Sequence, residues 1–465
     1  MADFDFVILG GGAAGFAAAV QASKAGARTA LVERSKLGGT CVNVGCVPSK
    51  HLIAAAEAYH RARHSPFAAI SGETWLDVQA LVGQKEAVVA ALQRRKYEDV
   101  LSGLQGVELL RGDAAFVSRE AVSVGGQRIE ARRFLIATGS SPSVPDVPGL
   151  RDAGYLTNVE ALQPEAIPEA LLVIGGRALG LEFAQLYARL GSRVTVLQRS
   201  SRILPDEEPE ISAALTRYLT EESVEIVTGA VPARVDVHGG KRVVRASIEG
   251  QERAFEADVL LAATGRHPNT AGLGLDQAGV AMGPDGEVLV DERMKTTAEH
   301  VFAAGDVTGP PMLETAAARQ GYVAAVNALT SRQVSWDFTA VPHAVFTDPQ
   351  VASVGLTEAR MMRKFGVCSC RTLPMEAVPK ANVVGDTRGL VKMVIHPETR
   401  KVLGVHLLSP LAADTIHEAI LAVKFGLTID DLVDTVHVFP THSEALKLVA
   451  LSFTEDVGRL PCCAL

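Results

Sequence analysis

The chain has 465 residues and a formal net charge of −8 at pH 7, with 48% hydrophobic and 21% charged residues. These fractions are typical of soluble globular domains and exclude an extensively disordered chain. The negative charge argues against a nucleic-acid groove or an anionic membrane surface as partner. We find no signal-peptide pattern and no apolar run of about 20 residues that could span a bilayer. We therefore expect a cytoplasmic protein of about three domains, at roughly 150 residues per domain.

The first predicted element is a strand–turn–helix–strand unit over residues 5–34. Its turn carries Gly10, Gly12 and Gly15 in the spacing G-x-G-x-x-G. Glycines at these positions allow a tight turn and let a pyrophosphate approach the N-terminus of the following helix. Glu33 ends the second strand, where an acidic side chain binds ribose hydroxyls. The unit predicts a dinucleotide site.

The next segment, GGTCVNVGCVPSK at residues 38–50, contains Cys41 and Cys46. An extended chain would hold their Cα atoms about 17 Å apart, and a disulfide needs less than half of that distance. The segment must therefore coil, and we expect the start of a helix whose dipole lowers the pKa of a thiol. Clustered cysteines in a reducing compartment predict a redox or metal-binding dithiol.

A second unit of the same pattern follows about 165 residues after the first, so we predict two dinucleotide-binding domains. Gly175 and Gly180 remain, but Arg177 occupies the middle glycine position. The second strand ends near Arg199 and Arg202 instead of an acid. Arginine binds a 2′-phosphate that a carboxylate would repel, which favours NADPH over NADH. The alternative interpretation is an ordinary solvated face.

After residue 341 the pattern changes to strands such as GLVKMVIHP and VLGVHLLSP and to helical stretches such as ADTIHEAILAVKFG. We interpret this region as a separate α+β domain. The predicted fold is therefore an α/β chain with two Rossmann-like dinucleotide-binding domains and a C-terminal α+β domain.

The chain ends in LPCCAL, with Cys462 and Cys463 side by side. Consecutive Cα atoms lie about 3.8 Å apart, whereas disulfides prefer roughly 4.4–6.8 Å, so we predict two free thiols. Such a pair can bind a soft metal ion or exchange with another disulfide. Cys368 and Cys370 could also bind a metal, but their i, i+2 spacing in a predicted strand or loop favours an incidental pair.

The two glycine turns, the dithiol segment and the string VFAAGDV at residues 301–307 make the chain resemble the flavoprotein disulfide reductase family over essentially its whole length. The resemblance implies FAD in the first site, a nicotinamide dinucleotide in the second and a redox dithiol beside the flavin. It also implies a homodimer in which the C-terminal domain of the partner completes each active site. The implied bounds are 1–145 and 266–335 for the FAD-binding domain, 146–265 for the NADPH-binding domain and 340–465 for the dimerisation domain.

The resemblance also assigns roles to single residues. Cys46 is the implied thiolate in contact with the flavin, and Cys41 is the exchanging thiol. Lys50 is expected near the flavin, paired with Glu182, and Asp306 near the ribityl and phosphate groups of FAD. The remaining implied cofactor contacts are Ala14, Gly39, Thr40, Ala115, Gly139 and Gly265.

Family members that reduce organic disulfides usually have a proton-donating histidine in a His-Pro-Thr-x-Ser-Glu motif. Here Phe439 occupies the histidine position, so general acid catalysis at that point is lost. Glu444 remains at the end of the motif and is expected as a structural partner at the dimer contact. His437 and His442 lie nearby in sequence, and we interpret them as satisfied interface histidines.

The vicinal tail pair, together with the dithiol, resembles the mercury-reducing members of the family. Hg(II) is a soft ion and arrives bound to thiols. The implied metal ligands are Cys462 and Cys463 of one subunit, which pass Hg(II) to Cys41 and Cys46 of the other. Reduced flavin then supplies two electrons and Hg(0) departs. Tyr97 matches a tyrosine that lies near the metal in these members. The alternative interpretation is that Tyr97 only packs on a helix and has no role in metal binding.

Two other functions remain open at this point. A dithiol or disulfide reductase such as a dihydrolipoamide dehydrogenase explains the dithiol but neither the tail nor Phe439. A metal-sequestering flavoprotein without turnover explains the cysteines, but the intact second dinucleotide unit argues against it.

Overall fold

The computed structural model describes residues 2–461. The strands are β1 Phe4–Leu9, β2 Thr29–Glu33, β3 Val107–Arg111, β4 Ala114–Ser118, β5 Ala121–Val124, β6 Gln127–Ile136, β7 Ser140–Pro142, β8 Ala170–Ile174, β9 Arg193–Gln198, β10 Glu225–Thr228, β11 Val231–His238, β12 Lys241–Ile248, β13 Gln251–Ala257, β14 Val259–Ala262, β15 Arg266–Pro268, β16 Val301–Ala303, β17 His343–Val345, β18 Gln350–Gly355, β19 Ser369–Pro374, β20 Leu390–Ile395 and β21 Val402–Ser409.

The α-helices are α1 Ala13–Lys24, α2 Gly39–Val44, α3 Cys46–Arg63, α4 Val78–Gln93, α5 Asp99–Ser102, α6 Leu150–Ala153, α7 Asn158–Ala161, α8 Ala178–Leu190, α9 Pro209–Glu221, α10 Leu275–Ala278, α11 Glu314–Leu329, α12 Glu358–Phe365, α13 Pro379–Val384, α14 Ala412–Phe425, α15 Ile429–Asp434 and α16 Glu444–Leu451. Short 3₁₀ helices lie at Asp306–Thr308, Met375–Ala377 and Val457–Arg459, and a π-helical turn lies at Arg94–Glu98. Among these helices of residues 2–461, none combines the length and the apolar character that crossing a bilayer requires.

The chain divides into two compact units. Within residues 2–461, the first comprises residues 2–52, Gln79–Ser143 and Gly265–Asp337, and the second comprises Ile53–Val78, Val144–Thr264 and residues 338–461.

The first unit is built on a parallel sheet with the strand order β3-β2-β1-β6-β16. The hairpin β4–β5 pairs in antiparallel fashion with the first half of β6. In β1, Phe6 and Ile8 belong to the core under α1 and α11, whereas Val7 and Leu9 belong to the core on the other face. A parallel strand buried on both faces needs apolar residues throughout, which explains the continuous run in β1.

The second unit contains a parallel sheet, β10-β9-β8-β14, and an antiparallel sheet, β11-β12-β13. Its C-terminal part is a five-stranded antiparallel sheet, β17-β18-β21-β20-β19, whose apolar residues share one core with α14 and α16. The predicted fold class, with two Rossmann-like domains and a C-terminal α+β domain, is confirmed.

Within the first unit, α11 crosses α1 at a point where no side chain fits. A methyl group added at Gly321 would collide with the carbonyl oxygen of Ala14. Gly321→Ala is therefore expected to lower the free energy of unfolding by about 2–3 kcal/mol, the usual cost of overpacking a core. The midpoint of urea unfolding, followed by circular dichroism, measures this change.

Gly83→Ala is the matched control, because Gly83 is an exposed glycine in α4 and a methyl group there would meet nothing within 4 Å. It is expected to raise the free energy of unfolding by up to about 1 kcal/mol through helix propensity. If both variants had the midpoint of the wild type, the close approach of α11 and α1 would be contradicted.

Candidate active site

Two consecutive helices bring the cysteines of the dithiol together. Cys41 lies within α2, and Cys46 is the first residue of α3. Between them Gly45 leaves the helical conformation, with φ −135° and ψ −113°. A Cβ at Gly45 would lie 2.9 Å from the carbonyl oxygen of Thr40, so this break favours glycine. The two thiols form a hydrogen bond across the break.

The dithiol segment is attached to the first glycine turn. The Gly38 N–H donates to the carbonyl oxygen of Gly11 at 2.9 Å. Gly39 has a left-handed φ of 59°, and a Cβ there would lie 2.8 Å from the Cα of Gly12. Any larger side chain would push α2 away from the turn. Backbone contacts between the two segments therefore hold the dithiol next to the first dinucleotide turn.

The two thiols have opposite acidities. The hydrogen bond between them lowers the pKa of Cys46, which the positive charge of Lys50 lowers further against the effect of burial. The same hydrogen bond, together with burial, raises the pKa of Cys41. Cys46 is exposed and Cys41 is half-buried. The opposite shifts favour the proton on Cys41 and the thiolate, which is the nucleophilic form, on Cys46.

Tyr97 and Glu314 complete the surroundings of Cys41. Tyr97 lies in the π-helical turn, and its ring packs against Phe16 with centroids 4.8 Å apart. Glu314 is the first residue of α11, and it forms hydrogen bonds with Cys41 and Tyr97. Burial raises the pKa of Glu314, and burial followed by the charge of Glu314 raises the pKa of Tyr97. Tyr97 thus packs in the core and also faces the dithiol.

Sequence reasoning missed Glu314. It lies outside every motif, and its only signal is an acidic residue in the first turn of a helix. Its role becomes visible only when the fold brings residues 41, 97 and 314 together.

The first glycine turn fits a dinucleotide. A Cβ at Gly15 would collide with the carbonyl oxygen of Gly10, which itself has a left-handed φ of 113°. Gly12 precedes α1, whose first-turn N–H groups have no partner within the helix. The Glu33 carboxylate accepts the Gly11 N–H at 2.9 Å and thus lies beside the turn. Bare backbone and an acid at the strand end suit a pyrophosphate and a ribose.

Asp306 lies in a polar cluster of the same unit. Ser140 donates to Asp306 Oδ2 at 2.6 Å, and Arg266 Nε donates to Ser140 Oγ at 2.7 Å. Arg266 Nη2 also reaches Thr40 Oγ1 at 3.5 Å. Arg266, which sequence reasoning did not select, therefore connects the dithiol segment to Asp306.

The other residues expected to contact FAD lie in the same unit. Gly139 and Gly265 have left-handed φ values of 70° and 116°. Ala14 is buried in α1, and Ala115 is half-buried in β4. Their cofactor contacts stay predictions.

The second glycine turn repeats the first with one chemical change. A Cβ at Gly180 would collide with the carbonyl oxygen of Gly175, as in the first turn. Arg177 has an extended backbone with φ −102°, so this position does not require glycine. The side-chain oxygen of Gln198 accepts the Gly176 N–H at 2.9 Å, the place that Glu33 takes in the first turn. An uncharged amide thus replaces the acid.

The two arginines after β9 differ in their surroundings. Arg199 is exposed. Arg202 Nη2 donates to the carbonyl oxygens of Pro205 and Glu207 at 2.7 and 3.2 Å, so its guanidinium holds its own loop. In α8, Glu182 accepts the Phe346 N–H at 2.9 Å. The pairing of Glu182 with Lys50 stays a prediction.

Phe439 is half-exposed, with 49% of its surface accessible. Glu444 accepts the Thr441 N–H at 3.1 Å and so holds the turn before α16. His437 contacts Glu418 at 2.9 Å and the Thr435 carbonyl oxygen at 3.0 Å. Both ring nitrogens of His437 are therefore engaged.

His442 is buried, and burial followed by the charge of Lys380 lowers its pKa. The lowered pKa favours the neutral imidazole, which lacks the acidic proton of an imidazolium. The expectation of a satisfied histidine is wrong for His442, because its buried Nδ1 has no hydrogen-bond partner within residues 2–461. The predicted delivery pair, Cys462 and Cys463, lies outside the described residues.

Comparison with known proteins extends over nearly the whole chain. The family described as "Pyridine nucleotide-disulphide oxidoreductase" matches residues 4–321, and its dimerisation domain matches residues 341–450. The chain is 42% identical to a mercuric reductase from Staphylococcus aureus, over 99% of this chain and 84% of that protein. It is 44% identical to a mercuric reductase from Streptomyces lividans, over 99% and 98% of the two chains.

Among solved structures, the chain is similar to the HOCl-induced flavoprotein disulfide reductase RclA from Escherichia coli. The identity is 31%, the match covers 97% of this chain and 100% of that one, and the TM-score is 0.87. On the matched sequence, the fold and the paired thiols at a dinucleotide turn, the chain belongs to the pyridine nucleotide-disulphide oxidoreductase family.

Proposed function

We propose that the protein is a mercury(II) reductase that uses NADPH and FAD to reduce thiol-bound Hg(II) to Hg(0) in the cytoplasm. The observation that carries the proposal is the hydrogen-bonded pair Cys41 and Cys46, a two-sulfur site for a soft ion with a carboxylate at its edge. The similarity to mercuric reductases over 99% of the chain supports the same reaction.

The dinucleotide sites are assigned from their residues. The turn with Gly10, Gly12 and Gly15, together with Glu33 and Asp306, would hold FAD within a domain of residues 1–145 and 266–335. The second turn would hold NADPH within residues 146–265. Bound FAD supplies a two-electron carrier between the nicotinamide and the dithiol.

The choice of NADPH rests on charge. A 2′-phosphate beside the second turn would face the Gln198 amide, which brings no negative charge. The exposed guanidinium of Arg199 follows directly and can form charge-assisted hydrogen bonds with a phosphate. Arg202 supports the loop through its carbonyl contacts.

Transfer of Hg(II) to the dithiol exchanges two sulfur ligands for two others. The exposed Cys46 thiolate displaces the first carrier thiolate from the ion, because its pKa is the lowered one of the pair. This order differs from the implied assignment of Cys41 as the exchanging thiol. Cys41 must lose its proton before it displaces the second carrier, and Glu314 is the acceptor hydrogen-bonded to it. The balance is one carrier thiol and one carrier thiolate released, with Hg(II) bound to Cys41 and Cys46. Two electrons then convert Hg(II) to Hg(0) and leave both thiolates.

The delivery step involves the partner subunit. The dimerisation domain at residues 341–450 supports a homodimer. In the proposed relay, Cys462 and Cys463 of one subunit take Hg(II) from small thiols and pass it to the dithiol of the other. Phe439 occupies the position of the proton-donating histidine of the disulfide-reducing members. Its presence agrees with the proposed reaction, because electron transfer to the metal requires no proton donor for a leaving sulfur.

Addition of HgCl₂ with an excess of small thiol should accelerate NADPH oxidation by the purified protein, to a turnover of order 1–10 s⁻¹. Absorbance of NADPH measures the rate. Replacing both Cys41 and Cys46 by Ser should abolish the acceleration, because the metal then lacks its two thiolates. Oxidised lipoamide should give little turnover.

Cys462→Ala/Cys463→Ala is the companion variant. Its FAD absorbance should equal that of the wild type, while turnover of thiol-bound Hg(II) should fall. Inhibition of the wild type by Hg(II) would contradict the proposed function, and rapid reduction of lipoamide would favour the dehydrogenase. An unchanged rate in the tail variant would contradict only the delivery role.

Lys50→Gln should raise the pKa of Cys46, because it removes the positive charge that stabilises the thiolate. In NADPH-reduced protein, alkylation of Cys46 by iodoacetamide at pH 7 should slow roughly three- to tenfold. Mass spectrometry of the Cys46 peptide across a pH series measures the rate. In the wild type, Cys46 should still be alkylated at pH values below the ordinary pKa of a free thiol. The alkylation rate should fall only as the pH falls through the lowered pKa of Cys46.

Lys50→Arg keeps the charge and is the matched control, expected to alkylate at nearly the wild-type rate. Identical pH profiles for Lys50→Gln and Lys50→Arg would show that this charge does not set the thiolate.

Arg199→Glu should raise the KM for NADPH about tenfold or more, since it replaces a phosphate-binding group by a repelling one. The KM for NADH should change little, because NADH lacks the 2′-phosphate. Arg193→Glu, at the other end of β9 and also exposed, is the matched control. Equal effects of Arg199→Glu on both nucleotides would rule out a role in choosing NADPH.

A further inference from the structure

A second pair of sulfurs lies in the C-terminal part of the second unit, in a different unit from Cys41 and Cys46. Glu358 is the first residue of α12, Cys368 follows the end of that helix, and Cys370 lies in β19. One donor atom of each of these three residues lies within 4.8 Å of the other two. All three side chains are half-buried, so an ion could enter from solvent.

The backbone explains why the three donors converge. Gly366 ends α12 in the left-handed conformation, with φ 71°, which turns the chain back along the helix. Residues 368 and 370 are two apart and so face the same side of the extended chain. The Glu358 carboxylate lies within 4.8 Å of both sulfurs. The i, i+2 spacing, which favoured an incidental pair on sequence grounds, thus places both sulfurs toward one carboxylate.

The surroundings of this cluster carry excess negative charge. The buried Lys392 ammonium contacts Glu358 at 2.6 Å, Glu210 at 2.8 Å and Glu208 at 3.1 Å. Three carboxylates therefore surround one ammonium before the thiols are counted. Lys392 also fixes Glu358 toward the sulfurs. A cation added here would meet an oriented carboxylate in a field that favours positive charge.

We propose that Glu358, Cys368 and Cys370 form a second metal site, which binds a thiolate-preferring divalent cation such as Zn²⁺. At a tetrahedral ion two Zn–S bonds of about 2.3 Å hold the sulfurs about 3.8 Å apart. The three donors lie within 4.8 Å of one another, so they can share one ion after side-chain shifts of about 1 Å. Binding releases the two thiol protons and forms two metal–sulfur bonds and one metal–oxygen bond. The fourth position of a tetrahedral ion goes to water.

Bound metal would join the first residue of α12 to the start of β19. The ion thereby stabilises the C-terminal domain, and it needs neither the dithiol nor the nucleotides. This site is independent of the proposed mercury reduction.

The test uses Cys462→Ser/Cys463→Ser protein with its active-site disulfide oxidised. Of the six cysteines in the chain, two are then replaced and two are in the disulfide, which leaves Cys368 and Cys370. A thiol reagent should count two thiols per chain. Titration with Cd²⁺ should produce thiolate-to-cadmium absorption in the ultraviolet that saturates at one Cd²⁺ per chain, and Zn²⁺ should reverse it.

Two carboxylate variants distinguish direct coordination of the metal ion from its attraction by nearby negative charge. Glu358→Gln removes a ligand and should weaken Cd²⁺ binding about tenfold or more, whereas Glu210→Gln removes another partner of Lys392 and should weaken it no more than about threefold. Cys368→Ser/Cys370→Ser should abolish the absorption, with folding checked by circular dichroism.

A thiol count of zero would overturn the site, since a disulfide would occupy it. No saturable absorption, or equal affinities for Glu358→Gln and Glu210→Gln, would overturn it as well. Because this test needs no NADPH and no Hg(II), its failure leaves the proposed reaction unaffected.

Discussion

The proposed chemistry depends on a hydrogen-bonded contact between the thiols of Cys41 and Cys46, and that contact depends on a break between two helices. Gly45 interrupts the helical path between Cys41 and Cys46 at a point where a Cβ would press on the Thr40 carbonyl oxygen. The contact then gives the two sulfurs different acidities, because it raises the pKa of Cys41 and lowers the pKa of Cys46. A single continuous helix would place residues five apart on different faces and would give neither property.

The two glycine turns show how one local fold serves two ligands. Each turn directs an N–H group to a side chain at the end of the next strand, from Gly11 to Glu33 and from Gly176 to Gln198. The backbone geometry is therefore shared. The amide differs from the acid in its lack of charge and in its N–H donor, which contacts the Arg202 carbonyl oxygen at 3.3 Å. Under the proposed function, such a substitution leaves the fold intact and removes the negative charge that would repel a 2′-phosphate.

Sequence patterns predicted the elements that are local in the chain. The apolar strands, both glycine turns and the coil around the dithiol follow from periodicity and from the backbone needs of glycine. Glu314 and Arg266 were not predicted, because their roles come from contacts with residues far away in sequence. For Cys368 and Cys370 the spacing alone was ambiguous, and only the position of Glu358 gives the pair a third donor.

The central claim is that electrons from NADPH reach Hg(II) and leave the protein as elemental mercury. The most direct measurement is the amount of Hg(0) vapour released per NADPH oxidised, in a sealed anaerobic vessel with thiol-bound Hg(II). Because both the oxidation of NADPH and the reduction of Hg(II) involve two electrons, the account predicts a ratio of one. NADPH consumption without release of Hg(0) would contradict it.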